Sequence, residues 1–206
     1  MSNDTLKLTD QEVLEYSREG LRKHLPLQAE GYVCTTDDLL NVLLGVAADR
    51  ATIESVCTDL VGTPDPETIR SYLNEQLCVE DLPDLEQGLN AALAAEVPQR
   101  VWRQARDVAI DYHDRPYYGR TPQTEGLWVR SRAKDGTTRF YRIATAYVML
   151  NGLRVTLAIR FVLPGDDTVT VLDHLLNRVK ASGIRVERLF PVSYTHLTLP
   201  TSCVEV

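Results

Sequence analysis

The sequence predicts a mixed chain of the α+β or α/β class, with a helical N-terminal region followed by three hairpin-joined strands, a helix and a further strand. Three observations predict it. Apolar residues recur at helical spacing up to Val97 and at strand spacing after Pro98. The dipeptides Asp135-Gly136 and Asn151-Gly152, both strong hairpin signals, separate strand-length stretches. Charge divides at the same place: residues 1–97 carry 6 Lys+Arg against 19 Asp+Glu, whereas residues 98–160 carry 12 against 5. Residues 161–206 are balanced, at 4 against 5. An acidic module is therefore followed by a basic one, and the acidic surface fits either a segregated function or adaptation to high salt.

Each helix has its own start and stop. Thr9-Asp10-Gln11-Glu12 opens the first with an N-cap residue and an acidic first turn, and Val13, Leu14, Tyr16 and Leu21 give its stripe up to Lys23. Thr35-Thr36-Asp37-Asp38 caps a second helix over Leu39 to Asp49. A third, Thr52 to Leu60, carries Ile53, Val56, Cys57 and Leu60 on one face. Val61-Gly62-Thr63-Pro64 stops it, because proline cannot continue a helix. Pro66 suits the first turn of a fourth, Pro66 to Leu77, with Ile69, Tyr72, Leu73 and Leu77 inward. A fifth runs from Asp84 to Glu96 and ends before Pro98.

The strands follow. Arg106 to Tyr112 is a short apolar run of strand length. Leu127 to Arg132, Thr138 to Leu150 and Leu153 to Leu163 are joined through the two turn dipeptides. Pro164-Gly165-Asp166-Asp167 closes the last one, with the two aspartates read as caps of a helix over Thr168 to Ser182 and only a weak metal candidate. Ile184 to Phe190 is another strand. A hairpin-built antiparallel part with a crossover helix returning to a parallel neighbour is the expected sheet.

With 206 residues, 44% hydrophobic and 25% charged, the chain has the composition of a globular protein of one domain or two small ones. That excludes collagen-like, disordered and disulfide-scaffold classes. No stretch approaches a membrane span, and the first ten residues lack the features of a signal peptide, so a cytoplasmic location and no membrane partner are expected. Cys34, Cys57, Cys78 and Cys203 form no C-x-x-C pair and have no histidine at ligand spacing. His24 and His174 stand alone on amphipathic stretches and read as surface or packing residues.

The stretch with chemistry is Val108 to Gly119, VAIDYHDRPYYG. An acidic residue closing an apolar strand must leave the core there, which makes Asp111 a candidate metal-binding and catalytic carboxylate. The alternative is an Asp that caps a turn. His113, Asp114, Arg115 and Pro116 to Gly119 are expected as a polar, aromatic loop over it. Arg130, Arg132, Lys134, Arg139 and Arg142 cluster on the first hairpin, with Arg115 and Arg120 beside Asp111. They would track DNA phosphates, or else form a solvated hairpin face. Thr52 to Leu60 and Pro66 to Leu77 have helix-turn-helix spacing. Its exposed face carries Glu67, Thr68, Arg70, Ser71 and Asn74, of which Thr68, Arg70 and Ser71 are candidate DNA contacts and Arg70 is the only basic residue.

This order of elements, with AIDYHDRPYYG at its centre, resembles the RNase H-like core of DDE insertion-sequence transposases, in particular an archaeal branch. The resemblance covers residues 99–190 well and the N-terminal half loosely. It implies an incomplete RNase H-like core in which the first catalytic Asp, on the first core strand, is Asp111. It also implies a second Asp just past the strand that follows the helix, a later Glu, and two Mg²⁺ (or Mn²⁺) ions held by the three carboxylates. Double-stranded DNA, as transposon ends and target, is the implied partner, with a homodimer on paired ends. Where relatives continue into Asp-Arg-Gly-Phe, this chain reads Pro191-Val192. Val192 to Thr201, VSYTHLTLPT, resembles the in-frame translation of a sequencing-library adapter, which removes His196 and Cys203 from any site. The expected organisation is residues 1–97 helical, 98–191 the first half of a catalytic core, and 192–206 an adapter-derived, disordered tail. The chain alone is expected to be inactive. The alternatives are a non-enzymatic helix-turn-helix regulatory protein and an RNase H-like recombination or repair nuclease.

Overall fold

The structure is a computed structural model that describes residues 8–102, 104–119 and 126–191. Arg120 and the segment 192–206 lie outside the described residues. The chain forms two compact units dividing between Ala92 and Leu93, within a helix, a few residues before the change of pattern at Pro98.

The first unit is helical. Helices α1 (Asp10–His24), α2 (Thr36–Asp49), α3 (Ile53–Asp59) and α4 (Pro66–Gln76) are followed by a 3-10 turn, Val79–Asp81, and by α5 (Leu82–Ala95). Side chains cap the first four helices, at Thr9 and Thr35 as the sequence predicts and at Thr52 and Asp65 besides. Thr9 with Glu12 and Thr35 with Asp38 form reciprocal capping boxes on α1 and α2. The Thr52 hydroxyl accepts from the Ser55 N–H, and the Asp65 carboxylate accepts from the N–H groups of Glu67 and Thr68. Leu39, Leu40, Val42, Val56, Ile69 and Leu73 make the core, joined by Cys34 and Leu27. Helix α1 buries none of its residues, and Val13, Leu14 and Tyr16 remain exposed.

The second unit begins with a short helix absent from the sequence reading, α6 (Gln99–Trp102). It continues through β1 (Arg106–Pro116), β2 (Val129–Lys134), β3 (Thr137–Leu150), β4 (Leu153–Val162), α7 (Thr168–Ala181) and β5 (Val186–Pro191). The β2–β3 and β3–β4 turns put Asp135-Gly136 and Asn151-Gly152 in the left-handed region, φ 52° and 75°, then 52° and 81°. Both central residues of a type I′ hairpin need that conformation, which glycine and asparagine adopt at least cost. The Asp167 carboxylate caps α7 through the Thr170 N–H.

Strand β3 is the spine of the sheet. It pairs antiparallel with β1 along one edge, and with both β2 and β4 along the other: Phe140 faces Pro116 and Val129, and Arg142 faces Asp114 and Val162. On the far edge of β1, β5 runs parallel from Arg106↔Val186 to Ile110↔Pro191. One face holds the core, where Val108, Ile110, Ala144, Ala146 and Val148 pack with Val171, Leu175 and Val179 of α7. The opposite face carries the alternate residues, among them Ala109, Asp111, His113, Thr145 and Tyr147.

One expectation is corrected here. Asp111 does not close its strand, and His113, Asp114 and Arg115 are not a loop above it. They continue β1, paired with Ile143, Arg142 and Tyr141. The reason is the length of β3: its 14 residues supply hydrogen-bonding partners as far as Pro116, so polar residues can stay in the ladder by facing away from the core. The Tyr117–Gly119 segment then follows the β2–β3 hairpin, with the Tyr117 N–H donating to Arg139 O and the Tyr118 hydroxyl donating to Asp135 O. That is six residues, about 20 Å of strand, from the level of Asp111.

Among the described residues, no helix is long and apolar enough to cross a membrane.

Candidate functional site

Asp111 lies on the sheet face opposite α7, its side chain about one-fifth exposed. Pairing sets its neighbours. Thr145 is directly across on β3, and Ile110, the residue before Asp111, is opposite Pro191 of β5, the last of the described residues on that strand. Asp111 Oδ1 accepts from the Tyr112 N–H at 2.9 Å, while Oδ2 has Arg154 Nη1 and His113 Nε2 each at 3.6 Å.

The neighbours of the carboxylate form one hydrogen-bonded group. Arg154 Nη2 donates to the Thr145 hydroxyl at 2.6 Å and lies 3.1 Å from His113 Nε2. The guanidinium also sits over the Tyr147 ring, 3.9 Å from its centroid. Thr145 is 8% exposed, one of the few buried polar residues, and its hydroxyl is also 3.4 Å from the Asp111 carbonyl.

Arg154 is the residue that strand alternation alone misplaces. In β4 the apolar residues Leu153, Val155, Leu157, Ile159 and Phe161 alternate with Arg154, Thr156, Ala158 and Arg160, which puts both arginines on one face. The ladder contains an irregularity instead. Ala146 pairs with Ala158 while Tyr147 pairs with Thr156, leaving Leu157 as an extra residue, 2% exposed in the core. Such a bulge reverses the alternation beyond it. Arg160 stays opposite Ala144 on the α7 face, and Arg154, opposite Met149, moves to the face of Asp111.

The basic residues of the first hairpin divide by face. Arg130 and Arg139 are directly opposite one another, both exposed, on the Asp111 face. Two like charges across a ladder repel. Trp128 offsets this, with Arg139 Cζ 4.9 Å and Arg130 Cζ 5.6 Å from its ring centroid. Trp128 in turn stacks on Tyr117, which packs against Tyr141. Arg115, opposite Tyr141, is exposed on the same face but four residues along β1 from Asp111, and Arg132 and Lys134 are exposed on β2. Arg142 does not join them. Three residues from Arg139, it falls on the α7 face and makes a two-point pair with Asp114, at 2.6 and 2.8 Å.

In the helical unit each candidate DNA contact is engaged by an acidic neighbour. The Thr68 hydroxyl donates to Asp65 at 2.7 Å, Ser71 donates to Glu75 at 3.2 Å, and Arg70 pairs with Glu54 and Glu67. The Asp65 carboxyl is held below its ordinary range, first by the Thr68 hydroxyl and then by the Thr68 N–H.

The donor set around Asp111 does not fit a pair of divalent cations. No group of three or more His, Cys, Asp or Glu among the described residues could hold a metal ion, and the carboxylate faces a guanidinium. The described arrangement is instead a carboxylate and an arginine held side by side on a sheet face that also carries Arg115, Arg130 and Arg139. No family model, curated protein or solved structure matches the chain.

Proposed function

We propose that the chain is the N-terminal part of a DDE insertion-sequence transposase, with an RNase H-like core that in its complete form cleaves and transfers DNA strands. The observation that carries this reading is the pairing of β1 with β5. The resemblance puts the first Asp on the first core strand and the second just past the strand after the helix. Here those two strands lie side by side and parallel, with Ile110 opposite Pro191. A carboxylate carried immediately beyond β5 would stand next to Asp111, as two carboxylates sharing cations must. A further Glu and the Mg²⁺ or Mn²⁺ ions belong to the complete core. Asp111 alone supplies no such set, and the 206-residue chain is inactive in cleavage.

Duplex DNA is the partner, approached by the sheet face that bears Arg115, Arg130, Arg139 and Asp111. The acidic engagement of Thr68, Arg70 and Ser71 counts against α3–α4 as a base-reading element and so against a purely helix-turn-helix regulator. Binding of the purified chain to a fluorescent 20-base-pair duplex, followed against salt, tests the reading. Salt-sensitive binding is expected, and the Arg130→Gln/Arg139→Gln double variant should flatten the log–log salt slope by about two. A chain that fails to bind at low salt, or a double variant with an unchanged slope, overturns it.

A further inference from the structure

We infer that Arg154 is a phosphate-contacting residue: its guanidinium receives the DNA backbone phosphodiester that lies beside Asp111. The inference rests on the reading of this sheet face as the DNA surface and names a contact within it. Three features of the structure carry it.

First, the β4 bulge at Leu157 brings Arg154 to this face at all. An unbulged strand would leave it with Arg160 on the α7 side. Bulges concentrate where a side chain must be re-aimed beside a site. Second, Arg154 is not a simple counter-ion to Asp111. Arginine and aspartate meet at two points across this sheet in Arg142–Asp114, at 2.6 and 2.8 Å, and in Arg188–Asp107, at 2.9 and 2.6 Å, whereas Arg160 meets Asp166 beyond the end of β4 through one nitrogen at 3.6 Å. Arg154 approaches Asp111 through one nitrogen at 3.6 Å and is fixed by other groups, the Thr145 hydroxyl and the Tyr147 ring. A planar donor held by stacking on Tyr147 and by one nitrogen against Thr145 and His113, with its side chain 35% exposed, is pre-set for a second oxygen acid. Third, the position fits a track. Arg130 and Arg139 lie six residues along β3 from the level of Thr145, about 20 Å, which is the rise along a duplex axis of about six base pairs.

An adjacent carboxylate and phosphate-binding guanidinium suit phosphodiester chemistry. The carboxylate repels a bare phosphate, so the arginine must supply the attraction that seats the reacting linkage against it. Asp111 therefore weakens binding of DNA in the absence of cations, and Arg154 offsets it.

The same duplex titration, without divalent cations, tests this on the 206-residue chain. Arg154→Gln is expected to lower affinity about eight-fold at 0.1 M salt and to reduce the salt slope by about 0.9, the amount for one phosphate contact. Arg154→Lys should keep the wild-type slope, since the charge remains, which a purely structural role would not predict. Asp111→Asn should tighten binding at least two-fold, and it carries the test independently if Arg154→Gln does not fold. An unchanged slope in Arg154→Gln, or equal or weaker binding in Asp111→Asn, overturns the inference. If Arg130→Gln/Arg139→Gln still flattens the slope in that case, the DNA-binding reading stands without it. If the wild-type chain shows no salt-dependent binding, both fall together.

Discussion

Asp114 and Arg142 show what an arginine does when its work is to hold the sheet. Their two-point pair crosses β1 and β3 at a level where the partners are about one-quarter and one-fifth exposed. Removing one partner leaves the other partly desolvated and unpaired, which costs about 1–3 kcal/mol. Arg142→Gln is therefore expected to lower the unfolding free energy, read by urea titration, by that amount and to leave the salt dependence of DNA binding unchanged. Arg139→Gln should do the reverse, changing the salt slope by about 0.9 with little effect on stability. Measuring both quantities on both variants separates the hairpin arginines that face DNA from the one that does not. Composition groups these residues together. Strand alternation over three residues sends 139 and 142 to opposite faces, and the register sets Arg142 opposite Asp114.

At the scale of elements, the helices are the part most legible from sequence. Thr9, Thr35 and Asp167 cap helices as the sequence predicts, because a cap depends on the few residues that follow it and on nothing distant, and Thr52 and Asp65 cap α3 and α4 in the same way. The Asp167 carboxyl is pulled below its ordinary range, first by the Thr170 N–H. A group whose folded value is depressed contributes stability above its unfolded value and loses it as pH falls through the folded one. Asp65 and Asp167 should therefore destabilise α4 and α7 only below the ordinary aspartate range. Asp167→Ala is expected to lower the melting temperature at pH 7 and to make the remaining melting temperature less sensitive to acid. The strands were less legible. Arg106 to Tyr112 was seen, but not the continuation to Pro116, since His113, Asp114 and Arg115 have strand character only because β3 lies beside them. The bulge at Leu157 left no signal, because Leu-Arg-Val-Thr-Leu-Ala-Ile-Arg-Phe alternates without interruption. Deleting Leu157 would restore regular pairing and leave Arg154 opposite Met149, on the face of Asp111, but would remove a leucine that is 2% exposed in the core. A loss of about 2–5 kcal/mol in this unit, read by urea unfolding, with the salt slope of DNA binding unchanged, is the expected result.

For the whole molecule, two cores carry the stability, one in each unit. Leu40 and Leu39 are fully buried among the helices, and Leu175 is fully buried between α7 and the sheet. Leu40→Ala or Leu175→Ala should each cost about 2–5 kcal/mol, with the loss assigned to its unit by hydrogen exchange. The charge division of the sequence follows the same boundary, acidic in the helical unit and basic across the sheet. Functionally, the purified 206-residue chain should release no cleaved strand from duplex DNA in Mg²⁺ or Mn²⁺, because one carboxylate facing a guanidinium cannot hold two cations. Measurable metal-dependent cleavage would contradict that.

The sequence by itself determined the class of the chain, the helix starts, the two hairpin turns and Asp111 as the carboxylate of interest. Those properties are local: caps, type I′ turns and apolar periodicity are settled within a few residues of chain. Tertiary structure decided which side chains share a face with Asp111. Pairing with β3 kept Asp111 within its strand, the bulge carried Arg154 across the sheet, and the parallel docking of β5 put Pro191 opposite Ile110, the neighbour of Asp111. Those outcomes depend on pairings between residues that run from 9 positions apart, Tyr147 with Thr156, to 81 apart, Ile110 with Pro191, whose register no single stretch of sequence encodes.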